Sequence, residues 1–455
     1  MYAHIIPVIP PDLGSAALGF FFHHYGRANA SRDIEATCSF FEFLPAMYAK
    51  ESASSPLSRA IVAFAVSVAN LYTYRRTSST SVCRFYIEAV AGTNRALANP
   101  ARCKSDELLM TTLVLEAYED ITSSFQRRQK PHAHALGSIA LLEHRGTLNG
   151  RSEVSRRMVI AMGGRFIRSG VGGMANIAAV RRLWENVGVT GSQNPAVMAD
   201  ILALELAQLE CLWRSRSTAL PPWGVQDFAE VDPCLSILSK AWDLGSRCIR
   251  WRNTLSPRWR SYPVPCDTLA PSIHAAGVYS SPTLSRPHCD VYRNLSVANT
   301  LNRHRITELR NLALIQTSIA AASADRSHHH KPPPFNLAGT AQVLLDKICA
   351  SVPFFAGDIT DFPDLQSSGE IQLPHMALPR SPRQSPGNVA GLLEDEASYT
   401  QQVMTSGMWM IHGTLVATLG LVAENQALQI IPREGQVRWI RSQVSRLQAV
   451  FRLGC

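Results

Sequence analysis

The sequence predicts an all-α protein, one large helical domain interrupted by long loops. Three observations carry this. Apolar residues recur three and four apart, as in Leu202, Leu206, Leu209 and Trp213, or Leu235, Leu238 and Trp242, while sustained strand-like alternation is scarce. Helix punctuation brackets such runs: Ser105, Asp106 and Glu107 precede an apolar stretch, and Gly146 follows "LLEHR" as a natural C-cap. The chain of 455 residues is 46% apolar, which fits one large helical domain or two to three ordinary ones and excludes a disordered chain.

Along the chain, residues 1–17 form an N-terminal segment, "MYAHIIPVIPPDLG", whose prolines break any helix and which lacks the basic start and apolar core of a signal peptide. Residues 18–252 read as the first helical half. A proline- and serine-rich stretch at 253–292 reads as a long loop, 293–356 as the second helical half, 357–398 as another proline-rich loop, and 399–455 as C-terminal helices. A shorter loop, "SADRSHHHKPPPFN", lies at 323–336. The apolar run at 60–72 is too short to span a membrane. "GMWMIHGTLVATLGLVA" at 407–423 holds His412 and three glycines, so it reads as a core helix with Trp409 inside it, not as a membrane anchor.

Two neighbouring stretches pose the question of chemistry. "DELLMTTLVLEAYED" (106–120) carries Glu116, Glu119 and Asp120, and "HAHALGSIALLEHRG" (132–146) carries three histidines. A metal or acid/base site is one reading, and two packed helices the other. His132 and His134 are two apart, which on one helix points them to nearly opposite sides, whereas metal-binding helices use i and i+4. Leucine, methionine or valine lies on almost every face of 106–120, as a helix buried between others requires. Paired carboxylates do acid/base work only where a cleft drives their pKa values apart.

The other candidates are weak. "RFIRSGVGG" (165–173) has no P-loop lysine and no preceding strand, so it reads as a flexible connection. The histidines at 328–330 sit beside three prolines and read as a solvated linker. No G-x-S-x-G or H-E-x-x-H occurs. The ten cysteines form no C-x-x-C pair, so a zinc site is not expected and reduced intracellular thiols are. No cofactor is predicted. The formal charge of +9 permits acidic partners, but only six residues are lysine, and "RRQK" at 127–130 is the best short basic cluster. In "RCIRWRNTLSPRWRSY" (247–262), arginines interleave with Trp251 and Trp259. Arg250, Arg252, Arg258 and Arg260 could make nonspecific nucleic-acid contacts; the plainer reading is a helix end running into a loop.

A resemblance now enters on "FFFHHYG" (20–26), "FEFLPAMY" (41–48), "SDELLMTTLVLEAYED" (105–120), "HALGSIALLEHRG" (134–146), "NRHRITELRNLALI" (302–315), "ICASVPFFAGD" (348–358) and "SGMWMIHGTLVATL" (406–419). In this order, from about Leu18 to Leu453, they resemble the regulatory domain of fungal zinc-cluster transcription factors. The resemblance implies packing and capping roles in an all-helical domain for Tyr118, Glu119, His134, Gly137, Arg145 and Gly146. It also implies a nuclear, non-enzymatic regulator of transcription, often of a secondary-metabolite gene cluster. The six-cysteine zinc module of that family is not matched by any residues here. Sequence-specific DNA reading is therefore assigned to no residue, and two expectations follow: a zinc module upstream of the given start, or a co-regulator or inhibitory partner acting through a homo- or heterodimer without DNA contact of its own. A helical enzyme such as a terpene cyclase would need aspartate-rich metal motifs, and "YED" falls short. No membrane partner is expected.

Overall fold

The computed structural model describes residues 13–22, 40–72, 79–126, 132–146, 152–169, 173–189, 192–216, 233–265, 288–324, 336–358 and 407–452. They are helical apart from short turns and one two-stranded ribbon, the all-α architecture that the apolar periodicity predicts. They fall into two compact units, one within residues 1–193 and 445–455, the other within 194–444. The boundary coincides with none of the predicted loops. "RRQK", the triple histidine and the second proline-rich loop beyond Asp358 lie outside the described residues.

The first unit contains α1 (Leu13–Phe21), α2 (Leu44–Tyr48), α3 (Pro56–Tyr72), α4 (Ser79–Leu97), α5 (Asp106–Gln126), α6 (Ala133–Arg145), α7 (Glu153–Ser169) and α8 (Met174–Asn186). The run "AIVAFAV" makes α3 apolar on every side, and Ile61, Phe64 and Val66 are completely buried. Phe64 stacks on Phe41 at 5.6 Å and meets Phe21 edge-on at 5.2 Å, which ties α1 and the turn before α2 to α3. α5 starts where the sequence predicts: Ser105 Oγ accepts from the Leu108 amide at 3.1 Å, and Asp106 and Glu107 occupy the first turn. Two expectations are corrected. His132 is the N-cap of α6 and lies outside the helix. Residues 165–169 belong to α7, because Phe166 and Ile167 are buried and extend its apolar face beyond "RMVIAMGG".

The second unit holds α9 (Pro195–Ser215), α10 (Pro233–Thr254), β1 (Tyr262–Pro265), β2 (His288–Val291), α11 (Leu295–Ala324), α12 (Leu337–Ala356), α13 (Met408–Glu424), α14 (Gln426–Gln429) and the start of α15 (Gln436–Arg452). Asn194 caps α9 by accepting from the amides of Ala196 and Val197, with Pro195 at the first helical position. α12 is capped by Asn336 and stops at Gly357, whose φ of +71° suits a residue without a Cβ.

β1 and β2 pair antiparallel with Tyr262 opposite Val291 and Val264 opposite Cys289. This ribbon lies inside the stretch predicted as a loop at 253–292. Its strands are four residues each and β1 carries Pro263 and Pro265, so composition hides it. All four residues of β2 are buried, and β2 packs on α12.

α13 buries Met408, Ile411, His412, Leu415, Thr418 and Val422 on one side. Trp409 is only half-buried, a correction to its predicted core position. It stands one residue off the buried stripe of the helix. Among the described residues no helix is long and apolar enough to cross a membrane.

Candidate functional site

A concentrated grouping of polar side chains in the second unit is the stretch "NRHRITELRN" on α11. A helix this rich in charge can be buried only if each group finds a partner. Asn302 donates to Ser351 Oγ of α12 at 2.9 Å. Arg303 pairs with Asp200, and Arg310 Nε lies 3.0 Å from Glu210, so α11 runs parallel to α9. Arg252 Nη1 reaches both oxygens of Glu308 at 3.1 Å. Asn311 donates to the Ala241 carbonyl at 2.9 Å, which makes α10 antiparallel to α11. His304 Nε2 is 3.2 Å from Glu308, and its ring lies 4.0 Å from that of Trp251. Burial alone would raise the Glu308 carboxyl. His304, Arg252 and Arg305 outweigh it and hold the group below its ordinary range.

Arg305 is the hub on the other side of α11. Its Nη1 donates to Tyr292 Oη at 2.9 Å, to Asn302 Oδ1 at 2.6 Å and to the Lys347 carbonyl at 3.2 Å. Its Nη2 stands 3.8 Å from Asp290, a carboxylate with no solvent exposure that also receives Lys347 Nζ at 3.0 Å. His288, on the same strand, is buried 3.8 Å from Asp290, and burial lowers its pKa. Next to Lys347 on α12, Asp346 takes Arg433 at 2.7 Å and Gln436 at 3.1 Å, which secures the start of α15. The arrangement can neutralise buried charge and fix helix register. Its carboxylates are spent on arginine and lysine, so they are poorly placed to exchange protons with a substrate.

In the first unit Tyr118, Glu119 and His134 meet around Tyr86, whereas Arg145 and Gly146 lie at the other end of α6. Glu119 accepts from Tyr86 Oη at 2.9 Å and lies 2.6 Å from His134 Nδ1, joining α4, α5 and α6. Tyr118 stacks on Tyr86 with ring centroids 4.6 Å apart, and burial pushes the Tyr118 phenol up to about 12. Arg145, almost fully buried, holds Asp106 at 2.5 Å, and Ser155 of α7 donates to the same carboxylate. Burial would raise the Asp106 carboxyl, but Ser155 and Arg145 together hold it below its ordinary value. Gly146 is the C-cap of α6 with φ +74°. Gly137 is the exception. It faces solvent with open space where a Cβ would stand, so packing does not require glycine there. Tyr86, Asp290 and Asp346 escaped the sequence analysis, since their partners lie 33, 57 and 87 residues away.

His132 and His134 do not converge on a common point, and among the described residues no group of three or more His, Cys, Asp or Glu is placed to hold a metal ion. Cys248 and Cys349 are buried, and burial pushes both thiols up to about 12, which suppresses the thiolate. In the 247–262 stretch, Trp251 and Trp259 are buried, and Trp251 Nε1 donates to the Pro195 carbonyl at 3.1 Å. Arg252 is committed to Glu308 and Arg247 to Glu205. Arg250, Arg258 and Arg260 are exposed.

No family model matches the chain, and no solved structure does. Over 344 residues the chain is 22% identical to transcription factor dbaG of Emericella nidulans, an alignment that covers 74% of this chain and 73% of that protein.

Proposed function

We propose that the chain is a fungal transcriptional regulator that acts in the nucleus through its helical units on a pathway-specific, secondary-metabolite gene cluster. The observation that carries this reading is the similarity to a transcription factor over nearly three quarters of both chains. The ordered resemblance of seven motifs to the regulatory domain of fungal zinc-cluster factors supports it, as does the all-helical fold. The ionisable residues of α11 are engaged by partners on α9, α10 and the residue after β2, which favours a scaffold over an enzyme.

Deleting and overexpressing the gene in its host, with transcripts profiled in each strain, tests the reading. A neighbouring gene cluster should rise in one strain and fall in the other. Fusing the full chain to an unrelated DNA-binding domain upstream of a reporter should change reporter output. If neither moves, the regulatory reading fails. Turnover of a prenyl diphosphate with divalent metal would replace it with an enzyme.

A specific observation favours action through a partner. Reading base edges needs a rigid element with several side chains free to enter a groove. In the 247–262 stretch both tryptophans are buried and two of the five arginines are occupied. Selection from randomised duplexes by this chain alone should therefore enrich no motif, and a defined motif would overturn the partner-dependent form.

A further inference from the structure

The 247–262 stretch sorts its own residues by structural job. Arg247 grips Glu205 with two nitrogens, and Arg252 reaches both oxygens of Glu308. Trp251, Leu255 and Trp259 are buried and pin the end of α10 and the turn Pro257–Trp259 to the unit. What remains outside is Arg250 on the last turns of α10, with Arg258 and Arg260 on either side of the buried Trp259. Among the described residues none of these three pairs with a carboxylate, and the sequence holds no Asp or Glu between Asp243 and Asp267. The result is three guanidinium groups at one end of α10, on backbone that buried aromatics hold rigid.

We propose that Arg250, Arg258 and Arg260 form a docking surface for an acidic segment of a partner protein. This rests on the regulatory reading above and names the chemistry of the partner. Two observations favour carboxylates over nucleic acid. Single strands are held by stacking bases on exposed aromatics, and both tryptophans here are buried. Duplex binders neutralise about six to ten phosphates, and three arginines fall well short of that. The arginine fork matches a carboxylate with two parallel hydrogen bonds, the geometry that Arg247 already makes with Glu205 three residues before Arg250. Prepaying the backbone order of the turn lowers the entropic cost of binding.

The test uses the full chain and fluorescence anisotropy at near-physiological salt. One probe is a labelled 20-residue peptide in which glutamate alternates with leucine; the other is a labelled 20-base-pair duplex of mixed sequence. The peptide should bind, and R250Q/R258Q/R260Q should weaken it at least tenfold with unchanged circular dichroism and melting temperature. R84Q/R95Q, on α4, should leave it unchanged. Equal peptide binding by wild type and the triple variant would overturn the proposal. So would duplex binding that the triple variant abolishes while peptide binding is weak, which would make the patch a phosphate surface. Because the assay is independent of transcription, a reporter effect that persists alongside failed peptide binding would sink this surface and spare the regulatory reading.

Discussion

Lys347 Nζ lies 3.0 Å from Oδ1 of Asp290, and this bond joins α12 to β2 at a carboxylate with no solvent exposure. Arg305 faces the other oxygen at 3.8 Å, and Tyr292 Oη stands 3.4 Å from it. Removing the anion leaves the buried guanidinium of Arg305 without its counter-charge. Asp290→Ala should therefore cost about 3–5 kcal/mol in urea denaturation. Lys347→Met should cost only about 1 kcal/mol, because that side chain is 30% exposed and Arg305 still balances the carboxylate. Equal costs would show that the anion is not the centre of the cluster.

Glu119 receives both Tyr86 and His134, while His132 stands apart at the helix N-cap. Replacing His132 and His134 together by Asn should leave bound-metal content unchanged. It should lower stability by about 1–3 kcal/mol, since the buried carboxylate loses a donor. Elemental analysis that finds a stoichiometric metal lost with the histidines would restore the metal reading.

The helical class was legible because α9 and α10 carry apolar residues three and four apart, and the caps at Ser105 and Gly146 obey local rules, whereas the Asn194 cap of α9 came to light only in the structure. Tyr118 and Glu119 stood out as chemistry-bearing residues, and the sequence places them near a helix end, whereas α5 continues past them to Gln126. Their actual partner, Tyr86, did not stand out, because pairing across 33 residues leaves no trace in local pattern. The ribbon was hidden by prolines, and the role of "NRHRITELRN" needed the three helices around it. Trp409 misled because the whole run 407–423 reads as a core helix, whereas this residue stands off the buried stripe of α13 and is half-buried.

Gly163 of α7 faces Trp184 of α8, and a Cβ there would stand 2.3 Å from the indole Nε1 and 2.6 Å from Cε2. Trp184 is buried and donates to the Val159 carbonyl at 3.4 Å, so it has little room to yield. Helix propensity alone would make Gly163→Ala stabilising by about 1 kcal/mol. The clash should win, with a net loss of about 1–3 kcal/mol in chemical denaturation. A stabilised variant would show that the two helices separate at little cost.

On α13, Ile411 is completely buried and Trp409 is not. Ile411→Ala should cost roughly 2–5 kcal/mol as a cavity mutation. Trp409→Ala should cost less than the roughly 3–5 kcal/mol of a fully buried aromatic. Midpoints of urea unfolding compare the two directly, and a larger loss at Trp409 would return it to the core.

Acidification should weaken the second unit, and the sign follows from two histidines. Burial lowers the pKa of His412, and it lowers that of His288 most strongly, with Lys347 adding and Asp290 and Asp346 opposing. In the unfolded chain both titrate near the ordinary value of about 6.5. Below that pH the unfolded state binds protons that the folded state refuses, so stability is present above about pH 6.5 and is lost as pH falls. Glu308, held below its ordinary value, acts in the same direction at lower pH, where the unfolded carboxyl protonates first, and Asp106 does the same for the first unit. The urea midpoint should thus decline between pH 7.5 and 5.5. In H288Q/H412Q the decline over that window should flatten, whatever the variant does to stability at pH 7.5, because glutamine binds no proton in either state. A slope unchanged by the substitutions would mean that other groups govern the acid response and that the buried imidazoles accept protons without cost.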